Sequence, residues 1–362
     1  MSTDLRTRDP ATPPGPLPSR RHARSRAALA LAVVTVGLVL AVPVAISVGT
    51  VAVPVDEVWR IVGVNLFGDP ADLDPIRNQI VWDFRTPRVL LAAVTGAGLS
   101  VAGVCLQALV RNPLADPYVL GVSSGAALGA VLVLTFGSAA LAGASVAAAA
   151  FVSALATLAA VFLLAQRSGR LAATRLVLAG VAVSYLATAA TSYVQLRANP
   201  NELRGIMFWL LGSVAGANWG QLGIPAAVIA VTMVWLILQG RALNALATGD
   251  ESAAALGVGV HRLRLMLLAV SALLTAVSVA VAGGVGFVGL MIPHMVRFVI
   301  GPDHRRVLPL SALGGALFLV LVDLGTRAVD PPNEYPLGVF TAAIGAPFFL
   351  WLLRRNARGA VT

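Results

Sequence analysis

The feature that most constrains the fold of this sequence is a long apolar segment without charge. From Val89 to Val110 every side chain is uncharged. As a helix, this segment is long enough to cross the roughly 30 Å hydrocarbon core of a bilayer. Apolar stretches of similar length recur along the chain, in which 58% of the residues are apolar and 12% are charged. The sequence therefore predicts an all-α polytopic membrane protein.

We expect the chain to be organised around residues 85–125. Two arginines three residues apart, Arg85 and Arg88, open this segment and share one side of a helix. At its other end prolines follow Asn112 and Asp116, and each proline disfavours helical geometry in the residue before it. The pattern predicts a spanning helix with a basic pair at one membrane surface and a fixed polar turn at the other.

Ten spans are predicted in total. They are residues 27–48, 87–110, 119–136, 142–165, 174–195, 221–239, 263–282, 287–301, 307–325 and 336–353. With the N-terminus inside, 19 of the 26 arginines fall in inner segments and seven in outer ones, which agrees with the positive-inside rule. We therefore predict a multi-pass protein with both termini in the cytoplasm. Residues 1–26 form a disordered basic tail, 27–355 the ten-helix domain, and 356–362 a short cytoplasmic tail.

Three places depart from regular spans. Residues 197–220 predict an interfacial helix on the outer side, with tryptophans as headgroup anchors. The glycines within 283–286 break the chain before a short apolar piece. Gly345 and Pro347 mark a second candidate break within the last span. Broken spans survive where protein or a water-filled cavity covers the backbone, as in many transporters.

A weak repeat appears at a shift of 180 residues. Five residues recur, namely Thr95, Val101, Ala102, Gly103 and Pro113 as Thr275, Val281, Ala282, Gly283 and Pro293. Because the first copy runs inward and the second outward, the pattern indicates an inverted repeat.

No catalytic or metal-binding constellation is visible in the sequence. P-loop, HExxH and GxSxG motifs are absent. Cys105 is the only cysteine, and the four histidines are scattered. His294 is the only suggestive histidine, and we expect it to have a packing role. The arginines lie in short loops between spans, which argues against nucleic-acid binding despite a net charge of +10.

The outer arginines Arg85, Arg88 and Arg327 have two interpretations. They form a docking rim for carboxylates of an external partner, since guanidinium groups bind carboxylates bidentately. Alternatively they pair internally, because Asp323 stands four residues before Arg327 and Asp83 stands near Arg85. The residues alone favour neither interpretation.

The inner loop 240–264 is the longest cytoplasmic connection between spans. Asp250 and Glu251 begin a short alanine-rich helix, and Gly257 ends it. A compact helix under the membrane suits contact with a cytoplasmic partner, and a solvated connector is the alternative.

Several segments, in this order and spacing, resemble the iron-chelate/cobalamin permease family of ABC importers over residues 30–355. They are RTPR (85–88), QALVRNPLADPYVLGVSSGAALG (107–129), RLVLAG (175–180), WLLGS (209–213), GDESAAALGV (249–258), GGVGFVGLMIPHMVR (283–297), DHRRVLP (303–309) and PLGVFTAAIGAPFFLWLLRR (336–355). The resemblance implies a type II ABC importer permease fold of ten transmembrane helices. It also implies a transport subunit that is not an enzyme, in the cytoplasmic membrane.

The resemblance also assigns residues. It implies that Arg85, Arg88 and Arg327 dock a substrate-binding protein. The ATPase-contacting loop then holds Gly249, Asp250, Glu251, Ala255 and Gly257. The inner gate falls on Asn112 and Pro113, together with Thr174, which is adjacent to the position of the cobalamin permease's gate threonine, Ala173 in this chain.

The implied partners are a second permease subunit, two cytoplasmic ATPases that use ATP, and an external binding protein or lipoprotein, all assembled at the lipid membrane. No cofactor or metal is expected on this chain. The expected cargo is an iron–siderophore, and hydroxamate, catecholate and citrate chelates, haem and cobalamin all stay open. Whether the pore pairs two copies or two paralogues also stays open. An ion-coupled secondary transporter is the rival interpretation, which predicts ionisable groups deep within spans.

Overall fold

The computed structural model describes residues 20–137, 139–141, 143, 145–167, 170–171 and 173–359. Within them the chain forms fifteen α-helices and two paired two-residue strands, Gln166–Arg167 and Arg170–Leu171. The helices are α1 (Arg20–Ser47), α2 (Val55–Phe67), α3 (Pro75–Asn78), α4 (Thr86–Val110), α5 (Val122–Phe136), α6 (Val146–Ala165), α7 (Ala173–Gln195), α8 (Pro200–Leu211), α9 (Gly223–Leu238), α10 (Gly240–Ala247), α11 (Asp250–Ala255), α12 (Val260–Ala282), α13 (Val288–Ile300), α14 (His304–Ala328) and α15 (Leu337–Gly359).

The helices match the predicted spans one by one. The ten corresponding helices are α1, α4, α5, α6, α7, α9, α12, α13, α14 and α15. In the described part of the chain, seven helices are long and apolar enough to cross a membrane, and three shorter apolar helices lie in α5, α13 and α15. The all-α membrane fold is therefore confirmed, while ten complete crossings stay a prediction.

Both predicted tails contribute to helices. Residues 20–26, expected in the disordered tail, form the first turns of α1. Arginine and alanine are good helix formers, and no proline follows Pro18 before the apolar run. At the other end α15 continues to Gly359. The remaining parts of these tails, 1–19 and 360–362, lie outside the described residues.

Helix α4 is the centre of the bundle, as predicted. In its spanning window 78% of the residues are buried, the largest share among the seven long apolar helices. Two of its glycines face glycines on neighbouring helices, Gly96 against Gly315 on α14 and Gly103 against Gly289 on α13. A Cβ atom on either α4 glycine would overlap the carbonyl oxygen of its partner. Small residues therefore let three backbones approach closely.

Helices α12 and α14 both run antiparallel to α4. Ser271 Oγ on α12 donates to the carbonyl of Ala102 at 3.0 Å. Following the predicted topology, we call the end of α4 near Arg88 the outer end and the end near Arg111 the inner end. A seven-residue π-helical turn, Gln79–Arg85, continues α4 outward to α3, so that the run Pro75–Val110 is 36 residues long.

The predicted turn after α4 is present, and the segment that follows it returns into the protein. Arg111 has a left-handed conformation and ends α4. Pro117 then lies beside Gly289, whose Cβ position is 3.4 Å from Pro117 Cδ and 2.8 Å from the carbonyl of Leu99. Leu99 stands about three turns above the inner end of α4, roughly 16 Å deep. Because the segment between α4 and α5 already covers this depth, the short helix α5 is sufficient to complete the return to the outer side.

The predicted break after α12 is present. Gly283 and Phe287 both have positive φ values, 68° and 67°. The break contacts the end of α8, where Ser213 N–H donates to the carbonyl of Ala282 at 2.8 Å. A Cβ atom on Gly283 would overlap the carbonyl oxygen of Trp209. Both α4 and α12 are thus long helices followed by a short one, as an inverted repeat predicts.

The predicted break in the last span is wrong, because α15 is continuous through Gly345 and Pro347. A proline in a membrane helix is tolerated where neighbouring groups satisfy the freed carbonyl. Gly345 has a packing role instead, since a Cβ atom there would lie 2.5 Å from the ring of Phe287. The expected helix within 197–220 is confirmed as α8, which is capped by Asn199 and Glu202.

Candidate functional site

The outer end of α4 carries a buried ion-pair network. Arg88 Nε lies 2.9 Å from Asp323 Oδ1, and Arg88 Nη1 lies 3.0 Å from Glu334 Oε1. Arg327 Nη2 lies 2.9 Å from Asp323 Oδ2. Asp323 is fully buried, and both arginines are less than 10% exposed. One aspartate on α14 therefore holds two arginines from two helices.

Arg327 and a third arginine, Arg85, cap the end of α1. The last carbonyls of a helix have no partner within the helix. Arg327 donates to the carbonyls of Ala45 and Val48, at 2.9 and 2.6 Å. Arg85 donates to the carbonyls of Ile46 and Ser47, each at 3.0 Å, and to that of Val51 at 2.5 Å. Cationic groups are also favoured near a helix C-terminus, so this cluster fixes α1 against α4 and α14.

These positions bear on the two interpretations of the outer arginines. Internal pairing of Arg327 with Asp323 is present, whereas Arg85 bonds backbone carbonyls rather than Asp83. Three arginines face two carboxylates, which leaves a net charge of +1 on the cluster. A cavity of about 220 Å³ opens beside it, lined by Arg85, Arg88, Arg327 and Glu334 among others. Docking of a partner at this cavity stays a prediction.

On the inner side, α10 and α11 form the expected compact helical segment. Gly249 joins them with a φ of 121°, a conformation that favours glycine. Asp250 begins α11 and connects two spans, because its Oδ1 lies 2.9 Å from Arg264 Nη2 on α12 and 3.5 Å from Arg111 Nη1 at the end of α4. Movement of α11 would therefore act on the inner ends of both α4 and α12.

The outward face of α11 is exposed. Glu251 and Ala255 are exposed, and Leu256 exposes 72% of its surface. Gly257, with a φ of 79°, ends the helix as predicted.

A second anchor ties α10 to the start of α14. Asn244 Nδ2 donates to Asp303 Oδ1 at 2.7 Å, and the backbone N–H of His304 donates to Asn244 Oδ1 at 2.9 Å. Asp303 also caps α14 by accepting from Arg305 N–H at 3.1 Å. Partial burial raises the pKa of Asp303, but these hydrogen bonds and the charges of Arg305 and Arg306 outweigh it and lower that pKa below its usual value.

The residues assigned to the inner gate lie at the start of the returning segment. Asn112 and Pro113 are exposed, and Asn112 Oδ1 accepts from Leu114 N–H at 2.9 Å, which fixes the turn. Thr174 lies in the first turn of α7, but its side chain is outside the described residues. The gate assignment stays a prediction.

Two polar links were missed from sequence. Gln107, only 3% exposed, donates from Nε2 to the carbonyl of Gly289 at 3.2 Å and accepts a bond from Arg297. Tyr118 Oη accepts from Val285 N–H at 2.8 Å and so joins the returning segment to the break after α12. A lone carboxamide in an apolar span was a usable signal for Gln107.

His294 packs among phenylalanine rings. Its ring centroid lies 4.8 Å from that of Phe298, with Phe348 and Phe349 6.3 and 6.5 Å away. The expected packing role is therefore what the surroundings of His294 favour.

Several known proteins are similar to this chain in sequence and in fold. The profile of the FecCD transport family matches residues 37–355. The chain is 45% identical over 275 residues to the cobalamin import system permease protein BtuC of Halobacterium salinarum, covering 76% of this chain and 73% of that protein. It is 43% identical to the hemin transport system permease protein HmuU of Yersinia pestis over 286 residues, covering 77% and 85% of the two chains.

A solved structure described as an inward-facing conformation of a metal-chelate type ABC transporter is also similar. It superimposes with a TM-score of 0.77 at 33% identity and covers 90% of this chain and 98% of that one. The buried arginine cluster, the break after α12 and the helical inner segment thus occur in a non-enzymatic membrane subunit. The chain belongs to the FecCD transport family of ABC importer permeases.

Proposed function

We propose that this permease imports a large metal–organic chelate and that its inner segment transmits the work of partner ATPases. The observation that carries this proposal is the bridge from Asp250 to Arg264 and Arg111. Membership in an ABC permease family implies ATPase subunits and a second permease subunit. An ATPase that displaces α11 would pull the inner ends of α4 and α12 through this bridge.

The ATPase contact falls on Gly249, Asp250, Glu251, Ala255 and Gly257. The exposure of Glu251, Ala255 and Leu256 supports it. The positive φ values of Gly249 and Gly257 set the ends of α11 and hold this surface away from the bundle.

An external binding protein or lipoprotein docks at the cavity beside Arg85, Arg88 and Arg327. The net charge of +1 supports an acidic partner, since Arg85 bonds only carbonyls within the described residues. Glu334 exposes 39% of its side chain at this cavity, so a carboxylate of the partner would compete with it for Arg88. Internal pairing and docking are then compatible, because the buried pairs preorganise the arginines.

Asn112, Pro113 and Thr174 form the inner gate. Asn112 follows Arg111, the residue that meets Asp250, so movement of α11 would reach the gate within one residue. This chain needs no cofactor for that movement, since the energy comes from ATP bound by the partners.

The cargo is a chelate rather than a bare ion. The similar permeases are named for cobalamin and hemin, and the similar structure for metal chelates. An iron–siderophore, the cargo expected from the resemblance, belongs to the same class of large metal–organic molecules. The pore is formed with a second permease subunit in the cytoplasmic membrane, and the arginine distribution supports cytoplasmic termini.

The rival function is ion-coupled secondary transport. It needs an ionisable group free to exchange its ion within a span. Asp323 is a carboxylate within a predicted span, 307–325, and it is held by two arginines. That arrangement favours a structural role for Asp323.

The test is uptake in proteoliposomes that contain the permease, its ATPases and the binding protein. Cyanocobalamin, haem and ferrioxamine are the probes, and one of them should accumulate only with hydrolysable ATP. An ATPase with an inactivated catalytic site should abolish uptake. Uptake that instead followed a proton gradient without ATP would contradict the proposal.

A further inference from the structure

Helix α7 carries a stripe of polar side chains within its span. Ser184, Thr188, Thr191, Ser192 and Gln195 recur at intervals that place them on one face of a helix. The mean hydropathy of this helix is 1.5, the lowest of the seven long apolar helices, which otherwise range from 2.1 to 2.7. The helix that carries the stripe is therefore the least apolar of those long helices.

The part of the stripe from Thr188 to Gln195 forms one wall of a cavity of about 260 Å³. Its polar lining comes from six side chains, Ser123 and Ser124 on α5 and Thr188, Thr191, Ser192 and Gln195 on α7. The depth of the cavity within the bundle follows from the contacts of Gly121. A Cβ atom on Gly121 would lie 3.2 Å from Ser184 Oγ and 3.3 Å from Thr157 Cγ2, so Ser184 and Thr157 are at the same depth. Thr157 is central in α6, so the cavity lies between the middle and the outer end of the bundle.

This stripe is not explained by packing or by bonds to the backbone. Among these α7 hydroxyls in the described part of the chain, Thr191 donates to a carbonyl of its own helix, that of Ala187 at 2.8 Å. Thr188 and Ser192 are exposed, and Gln195 is half-buried with a longer carboxamide. Facing hydrocarbon, such groups carry a desolvation cost that nothing offsets. An aqueous space inside the membrane would remove that cost.

The chemistry of the lining selects the kind of group it binds. Hydroxyl and carboxamide groups both donate and accept hydrogen bonds. No charged side chain is among the described residues that line the cavity. The nearest arginine along the chain, Arg197, donates to Tyr193 Oη at 3.2 Å instead. Amide, hydroxyl or hydroxamate groups fit this lining, whereas a free carboxylate would find no cation.

We propose that this cavity is a subsite in the wall of the transport passage and that it hydrogen-bonds the uncharged polar periphery of the cargo. The inference rests on the proposed import function and narrows it. Among large chelates it assigns those with amide, hydroxyl or hydroxamate surfaces, in preference to those with free carboxylates.

The first test asks whether the stripe is wet, and it needs no cargo. The single native cysteine, Cys105, is fully buried, so introduced thiols report alone. Thr188→Cys and Ser192→Cys should react with a charged, water-soluble methanethiosulfonate at least about tenfold faster than Val152→Cys, because thiol reaction needs an ionised, hydrated sulfur. Val152 is exposed on α6 at a matching depth. Thr157 and Ser184 both lie beside Gly121, and Val152 is five residues from Thr157, much as Thr188 is four residues from Ser184. Equal rates would overturn the proposal.

The second test asks whether the stripe contacts cargo. The double variant Thr188→Val/Gln195→Leu removes hydrogen-bonding groups at nearly constant shape. ATP-driven uptake in the assembled transporter should fall at least about fivefold, the factor that the loss of a single hydrogen bond confers. ATPase activity and docking of the binding protein should be unchanged, which separates cargo contact from misfolding. Unchanged uptake would overturn the subsite.

The choice among the three probes tests the assigned chemistry. Ferrioxamine and cyanocobalamin present hydroxamate or amide groups, and haem presents two carboxylates. Import of either of the first two is expected, and import of haem alone would overturn the assignment. If the unaltered protein imported no probe with ATP, the proposed function would fail, whereas thiol labelling would still decide whether the stripe is wet.

Discussion

Arg88 Nε lies 2.9 Å from Asp323 Oδ1, although the two residues are 235 positions apart in the chain. This pair joins the central helix α4 to α14, and Arg327 on the other oxygen of Asp323 extends the link to the end of α1. Removing one partner of a buried ion pair leaves charges without compensation, which costs more than the pair itself contributes.

Asp323→Asn should therefore destabilise the permease by about 3 kcal/mol, because it leaves Arg88 and Arg327 buried side by side. The free energy of unfolding in mixed micelles measures this. The control is Asp72→Asn on the exposed outer connection, which should change stability by less than about 0.5 kcal/mol. Equal free energies of unfolding for the two variants would show that the ion-pair network does not stabilise the permease.

Glu334→Gln should strengthen docking of the external binding protein. The change raises the net charge of the outer cluster from +1 to +2, and Glu334 is the member with the most exposed side chain, at 39%. A several-fold faster association at low salt is expected, shrinking as ionic strength rises. Surface plasmon resonance against the binding protein measures the rates, with Glu57→Gln, which faces Arg77, as the control. Slower association of Glu334→Gln would contradict docking of an acidic partner there.

Gly103→Ala should disrupt the bundle, whereas Gly63→Ala should not. A Cβ atom at Gly103 would overlap the carbonyl of Gly289, whereas one at Gly63 meets nothing within 4 Å. The first change should cost about 2 kcal/mol or more through overpacking. The second should be neutral or stabilise by about 0.5 kcal/mol, because alanine favours a helix more than glycine does. Thermal unfolding of both variants in the same detergent separates them, and a stable Gly103→Ala would show that α4 and α13 are loosely packed.

Much of the architecture could be predicted because apolar length and arginine placement act locally. Each span from α4 to α15 follows from a run that must lie in hydrocarbon. The inner segment was predictable too, since Asp250 and Gly257 are ordinary signals for the start and end of a helix. The glycines at 283–286 marked a break for the same local reason.

What could not be predicted depends on neighbours distant in sequence. Gly345 resembles the glycines at 283–286, but its role is to admit the ring of Phe287. Pro113 and Pro117 marked a turn, yet its return toward Leu99 is set by contact with Gly289 on another helix. The partners of Arg85 are carbonyls at the end of α1, and a sequence gives no sign of which distant side chain reaches the open carbonyls of a helix end.

Asn244→Ala should weaken the anchor between α10 and α14 in a pH-dependent way. The folded pKa of Asp303 is lowered below its usual value, so its contribution to stability is fully present above the unfolded pKa of about 3.9 and is lost as pH falls through the folded pKa. Loss of the Asn244 donor raises that folded pKa. The melting temperature of the variant should therefore lie below that of the unaltered protein at pH 7. The gap should narrow below about pH 4 to the part that comes from the lost bond with His304 N–H. The control is Thr248→Val, because the hydroxyl of Thr248 donates to the carbonyl of Ala245 nearby in the chain. The melting temperature of this control should differ from that of the unaltered protein by an amount that does not depend on pH.

Glu251→Arg should separate ATP hydrolysis from transport. Glu251 is exposed on α11 beside Asp250, so reversing its charge should leave the free energy of unfolding within about 0.5 kcal/mol of the original. An ATPase surface that complements Glu251 is basic, so an arginine at this position places like charges together. The affinity of the permease for the ATPase should therefore fall about tenfold. Uptake per ATP hydrolysed in proteoliposomes is the readout, with Ser252→Ala as the neighbouring neutral control. Normal uptake and normal assembly in Glu251→Arg would remove α11 from the path by which the ATPases move the spans.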